Sequence, residues 1–314
     1  MFSHPFSFDP TYGYTESALR AIKPPPIPGN FEPFWRETRV LAEATTPSPT
    51  LRKIQSQREG VELFEVEYTG IGGFRVGGWL SRPAHGKPTR GVVLGHGYGG
   101  REAPDLLIPG PPAVCIQPCA RGFHRSARPD LPNDSKDHVI HGIDSPETYI
   151  HRYCVADLWL AVSALIEIAP EVSGMIDYIG TSFGGGIGAM ALPWEPRFRR
   201  GFLGVPSFGH HDIRLTLPSV GAGESVRLLC QQMPEICKTL CFFDSAVASQ
   251  FCHIPVMVAC ALFDPAVPPP GQFAVYNALA GEKWLLVRLC DHFEYSGSAL
   301  DGARIWREQA RWFS

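Results

Sequence analysis

From residue 61 onward, short apolar runs of strand-forming residues alternate with helix-like stretches. The runs at 91–94, 113–117, 175–179, 201–205, 256–262 and 284–289 are nearly continuous in Val, Ile, Leu, Phe, Ala and Cys. Helical patterns lie among them at 149–168, 184–192 and about 300–313. A strand that is apolar at every position is buried on both sides, so these runs predict a mostly parallel sheet covered by helices on both faces. Ahead of them, 61–68 alternates at period two and, after Gly70, Gly72 and Gly73, is followed by 74–80. That pattern predicts an antiparallel hairpin. Such a hairpin feeding a parallel sheet is the α/β-hydrolase arrangement.

The chain has 314 residues, 44% of them hydrophobic, enough to bury one large core. Residues 1–50 are rich in proline (Lys23-Pro24-Pro25-Pro26-Ile27-Pro28) and read as an irregular extension, with one short helical stretch at 31–38, packing on a catalytic domain over 51–314. A net charge of -3 and a pI near 6.4 give no electrostatic reason to expect nucleic acid or an anionic membrane as partner. The pair Arg199-Arg200 reads as a solvated loop. No apolar run reaches the ~20 residues that span a bilayer, and MFSHPFSFDP at the start lacks a secretory leader's basic and apolar regions. Nine cysteines without a C-x-x-C pair fit a reduced, cytoplasmic protein, and Cys237 and Cys241 lack the further ligands a metal would need.

GTSFGGG at 180–186 follows the apolar run at 175–179 and precedes a small-residue helix. A serine on such a sharp turn projects its hydroxyl above the sheet, provided that Gly180 and Gly184 allow close approach of neighbouring backbone. Ser182 is the candidate nucleophile. Its base and the acid that orients the base are expected on loops after later strands, in the order Ser, Asp, His. Asp264 follows 256–262 and precedes a proline-rich loop, and His292 follows 284–289. Asp291 adjoins His292 but points away from it in an extended segment. His253 lies at the wrong end of its strand, His210-His211 reads as a surface loop, and Glu294 suits a supporting role. GHGYGG at 95–100 follows another strand. The backbone N–H of Tyr98, paired with that of Phe183, is the candidate oxyanion hole. This chemistry calls for no metal or organic cofactor.

Several stretches resemble the acetyl xylan esterase and cephalosporin-C deacetylase family, carbohydrate esterase family seven. They are FEPFWRET at 31–38, the hairpin at 67–80, GHGYGG, the helix region 142–162 and ALFDPAVPPPGQFAVYNALAG at 261–281. The resemblance implies a triad of Ser182, His292 and Asp264, an oxyanion hole from Tyr98 and Phe183, and removal of small acyl groups, typically acetyl, from sugars or related alcohols. It also implies a homo-oligomer, although 124–141 is shorter than the family loop that contributes to its hexamer. Three signatures depart from the family. Arg-Gly-Gln is Arg121-Gly122-Phe123 here, G-x-S-Q-G has Phe183 in place of glutamine, and His-Glu is His292-Phe293 with Glu294 one place later. If positions 123 and 183 lie together, a polar pair has become an aromatic contact. A general small-molecule carboxylesterase, a deacetylase of specialised metabolites and a non-catalytic binding protein on the same scaffold remain open as alternatives.

Overall fold

The computed structural model describes residues 3–314, so Met1 and Phe2, where the N-terminal reading begins, lie outside the described residues. The strands are β1 (Thr50–Ile54), β2 (Val61–Thr69), β3 (Arg75–Pro83), β4 (Arg90–Leu94), β5 (Ala113–Pro118), β6 (Ile176–Thr181), β7 (Phe198–Gly204), β8 (Val256–Ala261) and β9 (Lys283–Arg288). They form one nine-stranded sheet in the order β1-β2-β3-β5-β4-β6-β7-β8-β9. Pairing is antiparallel from β1 through β3 to β5 and parallel from β5 to β9. The order reverses at β4, which lies between β5 and β6, and α/β sheets bind ligands beyond the strand ends at such a reversal.

Alternating side chains of the central strands serve two cores. Val93, Val114, Ile116, Tyr178, Leu203 and Val258 join the larger one, with the helices Ile150–Ile168, Phe183–Ala191 and Pro269–Ala278. Val92, Cys115, Ile179, Phe202 and Met257 join a smaller one, closed by Ile305 and Phe313 of the C-terminal helix and its end. Both faces are therefore covered, which is why these strands read as continuously apolar. Among the described residues no helix is long and apolar enough to cross a membrane.

Two sequence expectations change, and one strand goes unannounced by the sequence. Arg199 and Arg200 lie on β7, not in a loop. Arg199 and the buried Arg90 both hydrogen-bond the fully buried Asp177 carboxylate, at 3.0–3.1 Å, so two guanidinium groups satisfy one buried charge. Edge strand β1 has no signature in the sequence because its first four residues are exposed and present no alternation of burial. Pro269 and Pro270 open a helix, where their missing N–H groups cost nothing.

Residues 3–50 contain two helices, Glu16–Arg20 and Phe31–Glu43, the second longer than the expected 31–38. Leu19, Phe31 and Trp35 are wholly buried in the larger core. Trp35 donates Nε1–H to the Phe242 carbonyl at 3.0 Å and packs edge-on against Trp159 and Phe243. Trp35→Ala should therefore lower the unfolding free energy by about 3–5 kcal/mol in urea titrations. A loss under ~1 kcal/mol would mean that this segment is not integral to the core.

Candidate active site

β6 runs into the helix Phe183–Ala191 through Ser182, which has φ 56° and ψ −114°. Only glycine adopts positive φ without strain, so surrounding bonds must hold the serine there. Its N–H donates to Gly204 O at 2.8 Å, and its carbonyl accepts N–H bonds from Gly186 and Ser207 at 3.0 and 3.1 Å. A Cβ on Gly180 would lie 2.4 Å from Gly184 O, and one on Gly184 would lie 2.8 Å from His96 O. Both glycines are thus required by close backbone approach. The helix begins at Phe183, one residue before the expected 184.

Ser182, His292 and Asp264 lie in series. His292 Nε2 is 3.0 Å from Ser182 Oγ, and Nδ1 is 2.9 and 3.1 Å from the two oxygens of Asp264. A carboxylate facing Nδ1 places the proton there and leaves the Nε2 lone pair facing the hydroxyl. Asp264 is fully buried and is fixed by the N–H groups of Ala266 and Val267 and by Gln272 Nε2, each at 2.9 Å. Its own N–H donates to Pro10 O at 3.1 Å, so the N-terminal segment supports this loop. Gln272 also accepts from Ala261 N and donates to Val267 O. Sequence reasoning missed it; the only signal was an amide side chain soon after the acid. Burial disfavours the charged imidazole, but the field of Asp264 and the hydrogen bond to it outweigh burial, so the His292 pKa is raised.

Asp291 does not point away as expected. Its carboxylate accepts the His292 N–H at 2.7 Å, approaches Nδ1 to 3.6 Å and is bound by Arg288. His292 has φ 48°, and this turned backbone, not an extended one, brings the neighbouring side chain round. Glu294 is exposed and forms no hydrogen bond or ion pair among the described residues. His253 precedes β8 and is exposed. His211 is not in a surface loop: it is buried, with Nε2 donating to Phe243 O at 3.1 Å.

The loop 95–100 leaves β4 directly beside the serine turn. His96 joins the two: its carbonyl accepts the Gly184 N–H at 2.8 Å, and its Nε2 accepts the Ala120 N–H at 2.9 Å. Nδ1 therefore carries the proton, donated to Gly97 O at 2.6 Å. Burial pushes the His96 pKa down to about 3, so the ring is neutral. Neither the Tyr98 nor the Phe183 N–H has a protein acceptor among the described residues, which leaves both free for a ligand oxygen. The Tyr98 ring stacks on Phe183 with centroids 4.2 Å apart, and its hydroxyl lies 3.1 Å from His138 Nδ1 and 2.9 Å from His151 Nε2. Phe123 packs on His138, Tyr98 and His96. Both phenylalanines thus belong to one aromatic cluster beneath the loop. Arg121 is not at the serine. It holds Asp157 with two bonds of 2.7 and 2.8 Å, while its carbonyl accepts from His138 Nε2 at 2.8 Å. Nothing in the sequence marked His138 and His151 as partners of Tyr98, because the contact depends on folding of the segment 120–151.

Ser182, His292, Gly97 and Tyr98 line a cavity of about 440 Å³ with Phe208, Arg214, Val220 and Val267 among its other walls. A mostly parallel sheet with these three groups on the loops after β6, β8 and β9 is the architecture of the α/β-hydrolase class. Residues 19–306 match the model of the acetyl xylan esterase family, and the chain belongs to that family. It is a carboxylic-ester hydrolase. Similar solved structures include the acetyl xylan esterase from Paenibacillus sp. R4, at 20% identity, covering 95% of this chain and 99% of that one, with TM-score 0.83. Acetyl xylan esterase 1 from Thermoanaerobacterium sp. JW/SL YS485 matches at 18% identity over 96% of this chain and 99% of that one, with TM-score 0.79. The acylaminoacyl peptidase of Pyrococcus horikoshii, at 12% identity, shares the fold over 87% of this chain and 42% of its own, with TM-score 0.57.

The linkage between His292 and Asp264 is open to direct titration. The His292 ring should titrate above the ordinary 6.5 in NMR spectra. Asp264→Asn removes the raising influences and leaves burial, so the value should drop below that of the parent. An unchanged value would mean that the carboxylate does not control the ring.

Proposed function

We propose that Ser182, His292 and Asp264 hydrolyse small acyl esters, acetyl esters foremost, of sugars or related alcohols through an acyl-enzyme. The observation that carries this reading is the unbroken series from Asp264 through His292 to Ser182, with distances of 2.9 and 3.0 Å. His292 Nε2 takes the serine proton as Oγ attacks the ester carbonyl. The developing oxyanion is held by the N–H groups of Tyr98 and Phe183, the latter at the start of a helix, whose dipole favours negative charge. As the tetrahedral intermediate collapses, the protonated imidazole gives its proton to the departing alcohol. Water, deprotonated by the same nitrogen, then releases the acid. Asp264 keeps the ring in the required tautomer and stabilises its charged form. None of these steps calls on a metal or an organic cofactor. Nine unpaired cysteines, seven of them buried, favour a cytoplasmic setting.

Ser182→Ala should lower kcat for acetyl esters by on the order of 10⁴–10⁶-fold, with the circular dichroism spectrum unchanged. Activity within tenfold of the parent would identify another nucleophile. The base must be neutral to act, and its pKa is raised. The acid limb of kcat/KM should therefore bend at a pH above 6.5, activity being lost as pH falls through that point. A bend below it would remove His292 as the base. Acyl-chain length separates an acetylesterase from a general carboxylesterase. The first should lose about 10-fold or more in kcat/KM for each methylene added to the acyl group, and a flat profile from acetate to butyrate favours the second.

A further inference from the structure

Arg214 ends a short helix, His211–Arg214, beyond β7 and is 8% exposed. A buried guanidinium is normally matched by a carboxylate. Arg90, Arg121 and Arg152 follow that rule in this chain. Arg214 does not. It forms no ion pair among the described residues, and its single side-chain hydrogen bond is a long one, 3.5 Å from Nη1 to His211 Nδ1. The nearby carboxylate of Asp244 is already engaged by the N–H groups of His210, His211, Ala246 and Val247. Burial pulls the Arg214 pKa down and the field of Asp244, which does not touch it, only partly offsets this, yet a guanidinium stays charged at neutral pH.

This guanidinium, with no carboxylate in contact, faces the catalytic cavity. Arg214 lines the same space as Ser182 and His292, its Nη2 lies 2.9 Å from where a Cβ on Gly223 of the cavity wall would be, and its Cζ sits 5.7 Å from the ring centre of Phe208. Glycine at 223 keeps that edge of the guanidinium uncovered. Among the described residues no carboxylate side chain lines the cavity, and Arg214 is the one permanently charged group there. We propose that Arg214 binds a carboxylate of the substrate, and that the esters cleaved at Ser182 are anionic. This rests on the hydrolase reading above. The chain as a whole carries a net charge of -3, so attraction of an anion here must come from the cavity itself.

The test needs matched esters that differ only in charge. 3-Acetoxybenzoate against its methyl ester places the carboxylate on the alcohol half, and monophenyl succinate against its methyl ester places it on the acyl half. In one of the two pairs the acid should be favoured in kcat/KM by about tenfold to a hundredfold, the effect of one hydrogen-bonded charged group; the pair that shows it identifies the half. Arg214→Gln should bring that ratio to about one, with Arg214→Lys between the two. A ratio near one in both pairs with the parent protein overturns the inference while leaving the hydrolase reading intact, and it requires no variant to fold. If no ester is hydrolysed, the hydrolase reading fails and calorimetry decides on the arginine. Benzoate should then bind the parent at least tenfold more tightly than Arg214→Gln, and equal binding or none overturns the proposal.

Discussion

Holding Ser182 at φ 56° places a side chain where only glycine is unstrained, at a cost of about 1–3 kcal/mol. The surrounding layer is arranged to meet that cost. Gly204 O, at the end of β7, takes the serine N–H, and Ser207 and Gly186 return bonds to its carbonyl. The Tyr178 hydroxyl, from within β6, donates to Gly184 O at 2.6 Å. Gly180 and Gly184 let these groups come within contact distance. Because the neighbouring parallel strands supply these partners, the turn depends on the sheet order and not on its local sequence alone.

That order also places the two free N–H groups. The loop bearing Tyr98 leaves β4 and the serine turn leaves β6, and the two strands are adjacent in the sheet. His96 ties the loops together through its carbonyl and its neutral ring, while the stacked rings of Tyr98 and Phe183 lie below. His138 accepts the Tyr98 proton at Nδ1, since its Nε2–H is committed to Arg121 O. His151 must then donate Nε2–H to the tyrosine oxygen, which leaves its Nδ1 a bare buried acceptor. Burial keeps both imidazoles neutral, and the His138 pKa is pushed down to about 4. Phe123 and Phe183 suit this setting, because each ring packs on this histidine-rich cluster.

The fold was legible wherever burial wrote itself into composition. β4 to β8 are mostly apolar because both faces are covered, and β9 keeps an apolar run between Lys283 and Arg288 although it is a half-buried edge strand. β2 alternates over part of its length because one of its faces is more exposed. Ser182, Asp264 and His292 could be read as candidates because each follows such a strand. β1 could not be read, since its exposed residues carry no burial signal, and Arg199 and Arg200 misled because their partners, the Asp177 carboxylate and the Trp312 carbonyl, are distant in sequence. Gln272, His138, His151 and Arg214 stayed silent for a related reason. Each acquires its meaning from a partner, or from the lack of one, that only the folded chain brings near. Asp291 misled through backbone geometry, because the positive φ of His292 reverses the extended path assumed for it.

Catalysis at this site requires that the Ser182 hydroxyl be activated by His292. Intact-mass spectrometry after brief exposure of the folded protein to a serine-directed fluorophosphonate reads this directly. One adduct is predicted, mapping to the peptide that contains Ser182, and none should form on His292→Ala under the same conditions. An unlabelled Ser182 in protein that still hydrolyses acetyl esters, or a single adduct on a different residue, would contradict it.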